Sequence, residues 1–123
     1  MLAPALTDQG VHFRRAVALV AEHELSAPEL IDLEVLSALR RLVRAEVISE
    51  AHAASSLREL ALMPLARSPH APLVGRIWEL RDNLSAYDAA YVALAERVEG
   101  SLVTADSRLA AAPGIRCEIE LLS

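Results

Sequence analysis

The order of apolar patterns along the chain predicts a three-layer α/β/α domain with a mainly parallel sheet. Short apolar runs at 25–28, 63–68, 101–104 and 116–122 alternate with longer stretches of helical periodicity. Strands separated by helices need crossover connections, and crossovers place successive strands parallel between helical layers. With 123 residues, 54% of them hydrophobic, the chain can bury one core of its own.

The elements read in order. Residues 2–7 form one short helix closed by Asp8-Gln9-Gly10, and 11–24 a second with Val17, Leu19 and Val20 apolar. Leu25-Ser26-Ala27-Pro28 is a very short strand, and Pro28 suits the first turn of a long helix over 29–45, where Leu30, Leu33, Leu36, Leu39 and Leu42 recur. Ser49 is the expected N-cap of a helix ending near Leu62. Met63 to Ser68 is an irregular or edge strand because of Pro64. A helix over 70–83 is built around Leu73, Ile77, Trp78 and Leu80; another, capped by Ser85, runs to about Val98 and stops at Gly100. Ser101 to Thr104 is a strand and Ser107 to Ala112 a short helix. Arg116 to Leu122 is a last strand alternating Cys117, Ile119 and Leu121 against Glu118 and Glu120. No repeat and no linker divides the chain.

Composition excludes several classes of function. The net charge of −5 has the wrong sign for a standing basic surface that holds nucleic acid, though bound cations would lift that objection. All 12 basic residues are Arg, which reads as codon bias and carries no chemistry. The lone Cys117 permits neither an internal disulfide nor a thiolate zinc site and is expected to be a small packed residue. His12, His23, His52 and His70 lack metal-ligand spacing, and each is expected at the surface or at a cap. Trp78 and the 30–42 leucines are expected in the core or at an interface. No apolar run approaches the ~18 residues that span a bilayer, and no signal-peptide pattern opens the chain, so a soluble cytoplasmic protein is expected.

Three carboxylates stand without local partners. Glu34 lies within the apolar stripe of its helix, among Leu30, Ile31, Ser37 and Ala38. It is either a helix-edge residue reaching water or a carboxylate compensated by tertiary structure. Asp88 lies among Leu84, Ser85, Tyr91 and Val92, and Ser85-x-x-Asp88 is also a capping box. Asp106 follows the strand 102–104 and is an N-cap candidate, at the strand end where parallel sheets place ligands. Three such acids together point to a hard divalent cation of the Mg²⁺ or Mn²⁺ type.

Three segments carry a family resemblance. Ile77-Trp78-Glu79-Leu80-Arg81-Asp82-Asn83-Leu84-Ser85-Ala86-Tyr87-Asp88-Ala89-Ala90-Tyr91-Val92-Ala93-Leu94-Ala95-Glu96 resembles the third acidic motif of PIN-domain ribonucleases of the VapC toxin type. Ala27-Pro28-Glu29-Leu30-Ile31-Asp32-Leu33-Glu34-Val35 resembles their second, and Leu102-Val103-Thr104-Ala105-Asp106-Ser107-Arg108-Leu109 their fourth. The resemblance implies Glu34, Asp88 and Asp106 as catalytic metal ligands and Thr104 as a supporting hydroxyl. It implies a Mg²⁺- or Mn²⁺-dependent endoribonuclease, an RNA substrate and a VapB-like antitoxin partner. The family opens with a central strand ending in Asp, and Met1-Leu2-Ala3-Pro4 supplies neither, so the expectation is one domain over 1–123, truncated at its N-terminus, with its first strand and first acid missing.

Two other readings compete with an active toxin. One is a catalytically inactive PIN-like module that binds an antitoxin or dimerises. The other is an unrelated α/β domain whose acids are all caps and do not converge. The wide apolar faces of 30–42 and 49–62 lead to the expectation of a homodimer with a groove for the antitoxin.

Overall fold

The structure, a computed structural model, describes residues 25–122. In chain order they form strand β1 (Leu25–Pro28), helix α1 (Ile31–Arg44), helix α2 (Glu50–Leu62) and strand β2 (Leu65–Ser68). A 3₁₀ turn (Ala71–Leu73) runs into α3 (Val74–Glu79), followed by α4 (Ala86–Arg97), β3 (Ser101–Thr104), α5 (Ser107–Ala110) and β4 (Glu118–Leu121). The expected helices over 2–7 and 11–24, and the expected loss of a first strand, concern residues outside the described ones.

All strand pairing among the described residues is parallel. β1 pairs with β2, Leu25 opposite Leu65 through Pro28 opposite Ser68, and β3 pairs with β4, Ser101 opposite Glu118 through Thr104 opposite Leu121. Leu102, Val103 and Thr104 are all buried, the continuous apolar run expected of a strand covered on both faces. β4 is covered less well. Its glutamates Glu118 and Glu120 face water and Ile119 is half-buried, but Leu121, expected inward, is 49% exposed.

Helix α4 is the centre of the fold. Every residue from Ala89 to Ala95 is buried, and the helix packs against β1, β3 and α3. A helix apolar on all sides has to be enclosed, and small alanines let its neighbours come close. Ser85 caps it, its Oγ accepting the Asp88 N–H at 3.1 Å. Its end differs from the expected glycine stop. The left-handed residue is Glu99 (φ 54°), and the Gly100 N–H donates back to the Ala95 carbonyl at 2.9 Å.

Helix α1 corrects the leucine-stripe reading. Its buried face is Ile31, Val35, Ala38 and Leu39, whereas Leu33 and Leu36 are exposed. A spacing of three falls short of a turn of about 3.6 residues, so leucines three apart wind around the helix and only some of them meet the core. The start of α1 has no side-chain cap from its own segment. Instead His70, beyond β2, accepts the Leu30 N–H at 3.3 Å through Nε2, and Arg67 of β2 grips Asp32 with three N–H···O bonds of 2.8–2.9 Å. Ser49 caps α2 as expected, accepting the His52 N–H at 3.0 Å. The expected helix over 70–83 is shorter, a 3₁₀ turn and α3 followed by turns. It buries Leu73 and Leu80 and leaves Trp78 66% exposed, outside the core. Cys117 is half-buried, its thiol pushed up first by burial and then by the charge of Glu96, as befits an inert packed residue.

One ion pair ties the far end of α4 to its surroundings. The Glu96 carboxylate, 14% exposed, accepts Arg76 Nε at 2.6 Å and Nη2 at 3.1 Å, and the Arg116 N–H at 2.8 Å. Arg76 Nη2 also donates to the Gly114 carbonyl at 2.6 Å. Burial alone would raise the Glu96 pKa, but the Arg76 and Arg116 donors outweigh it and hold the carboxyl below its ordinary range. Glu96→Gln is therefore expected to cost roughly 1–3 kcal/mol at neutral pH, the range for a lost charged hydrogen bond. A carboxylate depressed in the folded state gives its stability above the unfolded pKa and loses it as pH falls through the folded one. The gap between wild type and variant in urea unfolding should thus close in acid. A gap independent of pH would show that the charge is not what holds this corner.

Candidate active site

The carboxyl ends of β1 and β3, and the first turn of the buried helix, each deliver one acid. Glu34 stands in the first turn of α1, just after β1. Asp88 is in the first turn of α4. Asp106 follows β3 and is the N-cap of α5. Helix N-termini favour negative charge, which suits all three placements.

Each acid is held by a different device. The Asp106 Oδ1 accepts the N–H groups of Arg108 at 2.9 Å and Leu109 at 3.3 Å, so both cap bonds use one oxygen and leave Oδ2 outside the cap. Thr104, fully buried, accepts the Asp106 N–H on its Oγ1 at 3.0 Å. Its hydroxyl acts on the backbone that carries the acid. Asp88 is half-buried beside Ser85, whose Oγ accepts its N–H. Glu34 is half-buried and accepts a hydrogen bond on Oε1 from the Tyr91 hydroxyl.

Tyr91 is the residue that sequence reasoning missed. It is fully buried in α4, one turn after Asp88. The signal was available, because a tyrosine within an otherwise Ala/Val/Leu helix must find a partner for its hydroxyl. Burial, then the neighbouring charge of Glu34, pushes its pKa far up, so it stays a donor.

The acids perturb one another in a chain. Burial raises the Glu34 pKa, the Tyr91 hydrogen bond opposes that rise, and the charge of Asp88 adds to it. Burial likewise raises Asp88, with the charge of Asp106 adding to the rise, while Ser85 and Arg108 oppose it. Glu34 is thus linked with Asp88, and Asp88 with Asp106. Among the described residues no three His, Cys, Asp or Glu side chains stand close enough to enclose a metal ion. The donor set itself is oxygen-only, half-buried and mutually repulsive. A hard divalent cation would relieve that repulsion, and in this respect the residues fit one.

Two grooves meet near Glu34. One, of about 430 Å³, is lined by Glu34, Leu33, Ser37 and Arg41, and a second, of about 410 Å³, by Ile77, Trp78, Arg81 and Ala90. Leu30 and Tyr87 border both.

The sequence model of the PIN domain matches residues 3–115. The chain belongs to the PIN-domain family. Ribonuclease VapC1 of Mycobacterium tuberculosis is 45% identical over 119 residues, covering 96% of this chain and 90% of that protein. Ribonuclease VapC9 of the same organism is 42% identical over 108 residues, 88% of this chain and 85% of the relative. Ribonuclease VapC3 is 41% identical over 95 residues, 77% and 69% of the two chains. In this VapC-like PIN domain, Glu34 follows β1, Asp88 lies in the first turn of α4 and Asp106 follows β3.

Two outcomes follow for the metal-free PIN domain. A carboxyl whose pKa is raised on folding destabilises the fold once it ionises, so stability falls as pH rises from the unfolded pKa through the raised one. Asp88→Asn is expected to melt higher than wild type in EDTA at neutral pH, by about 1 kcal/mol or less after solvent screening. That advantage should vanish in acid; a variant less stable at every pH would refute the repulsion. Tyr91→Phe removes the donor that favours ionised Glu34. The Glu34 carboxyl resonance should then titrate at higher pH than in wild type, with stability down by about 1 kcal/mol. An unmoved titration would show that the hydrogen bond does not govern Glu34.

Proposed function

We propose that the chain is a metal-dependent endoribonuclease, the toxin of a VapBC-type pair, hydrolysing RNA phosphodiester bonds with Glu34, Asp88 and Asp106 as its acids. The observation that carries this reading is the chain of mutually perturbed carboxylates at adjoining element ends, in a protein whose relatives are named ribonucleases. A divalent cation, Mg²⁺ or Mn²⁺, would be held by these oxygens; bound there, it supplies an activated water and opposes the charge that develops on the phosphoryl group.

The chain's own residues do the rest. Tyr91 fixes the rotamer of Glu34 from inside the core. The α5 cap and Thr104 fix Asp106. Ser85 and the start of α4 fix Asp88, and Arg108 supplies a cation near it. With cations at the site, a net charge of −5 no longer bars RNA. We further propose a VapB-like antitoxin and a second copy of this chain as partners. The support is apolar surface without cover among the described residues: Leu33 and Leu36 on α1, and Leu62 at the end of α2, which is 84% exposed. The inactive-module reading has no observation of its own in its favour.

The test is cleavage of single-stranded RNA by the purified chain with Mg²⁺ or Mn²⁺. Activity should disappear in EDTA and fall on the order of a hundredfold or more in Glu34→Gln and Asp88→Asn, as when a transition-state contact is removed. Cleavage that survives EDTA or both substitutions would refute the assignment.

A further inference from the structure

The groove that borders the acids through Tyr87 has features that neither the carboxylates nor the core explain. Trp78 of α3 and Tyr87 of α4 are each 66% exposed and line the same groove from different helices. Arg81, in the turn after α3, lies over the indole ring with its guanidinium carbon 4.4 Å from the centroid, and its Nη1 donates to the Trp78 carbonyl at 2.9 Å. The guanidinium is therefore held in a stacked position. Leu30, Ile77 and Ala90 complete an apolar wall, and at about 410 Å³ the groove falls near the lower end of the range for small-ligand sites. It is continuous with the acids: Tyr87 directly precedes Asp88, and Leu30 and Tyr87 also border the Glu34 groove.

Exposed aromatic rings with a stacked guanidinium are the chemistry that receives an unpaired nucleobase, since every base presents a π-face and stacks on Trp, Tyr or Arg planes. The cations complement a nucleic acid too. Arg81 lies at this groove, Arg41 in the adjoining one with Glu34, and Arg108 near Asp88, each on a different segment. We propose that the groove between Trp78 and Tyr87 is a nucleobase subsite, holding an unpaired base of the RNA strand beside the bond to be cut. The proposal rests on the RNA-cleaving reading and adds to it the residues that position the substrate. Trp78 and Tyr87 are positioning residues here, acting on binding and leaving the chemistry to the acids. An apolar groove of this kind also admits a protein segment, but a protein side chain has no need of the guanidinium stack or of the neighbouring arginines.

Trp78 is the only tryptophan in the chain, so its emission reports on this groove alone. Unstructured oligoadenylate in EDTA, where cleavage is off, should quench that emission saturably, and an abasic ribose-phosphate strand of the same length should not. In metal-supported cleavage, Trp78→Ala and Tyr87→Ala should raise KM about tenfold, the scale of one lost base stack, with kcat within twofold. Trp78→Phe should restore most of the loss, which guards against a folding defect in the alanine variant. No quenching by an oligonucleotide that the protein cleaves overturns the proposal. So does equal quenching by the abasic strand, which assigns binding to phosphate alone. An emission shift that follows protein concentration without RNA also overturns it and assigns the groove to a second copy. Quenching with unchanged KM in both variants places the base elsewhere and is a refutation. If oligoadenylate quenches but no RNA is cleaved under any metal, the base subsite stands and the ribonuclease reading falls.

Discussion

The fold depends on burying α4 from every side. Its run from Ala89 to Ala95 has no solvent-facing stripe, so the helix is stable only when β1, β3 and α3 close around it. That constraint also builds the site. Enclosing α4 brings its first turn, with Asp88, between the ends of the two strand pairs, and so between Glu34 and Asp106. It also forces Tyr91 inward, where its hydroxyl has to find an acceptor in the protein. Glu34 is that acceptor. One buried hydrogen bond thus joins the core to the chemistry.

The site is built against its own electrostatics. Two carboxyls have raised pKa values because they are half-buried and feel neighbouring carboxylates, and at Asp88 the charge of Arg108 only partly offsets the rise. A stability-optimised protein would neutralise or expose them. Keeping them in place at a cost to the metal-free fold is consistent with a bound cation as the missing counter-charge. The opposite end of α4 shows the usual solution. Glu96 is also well covered, but Arg76 and the Arg116 N–H meet it, and its pKa goes down. Carboxylates at the two ends of α4 therefore titrate in opposite directions, according to whether a guanidinium hydrogen-bonds them directly.

Much of this was legible before any tertiary structure. β1 and β3 fall where the apolar runs placed them, because short β-branched or leucine-containing segments bounded by Pro, Gly and Ser have few other options. The Ser49 and Ser85 caps were readable from local chemistry alone, since a hydroxyl three residues ahead of a free N–H is a contact the helix itself creates. The errors share a cause. The core half of the readings of the α1 leucines and of Trp78, the inward placing of Leu121 and the stop at Gly100 all inferred burial or backbone conformation from residue type.

The sequence by itself determined the order of most elements and their parallel pairing, and it singled out three candidate acids, because periodicity, capping and motif order are properties of neighbouring residues. Only tertiary structure decided how those acids are held. The Tyr91 donor for Glu34 lies 57 residues away in sequence, and the His70 acceptor for the Leu30 N–H lies 40 away. Contacts across such separations are not encoded in any local pattern; they exist because the packing of α4 and the parallel crossovers bring distant segments to the same strand ends. The environment of a carboxylate, and with it its charge at neutral pH, is set by burial and by partners that only the folded chain supplies.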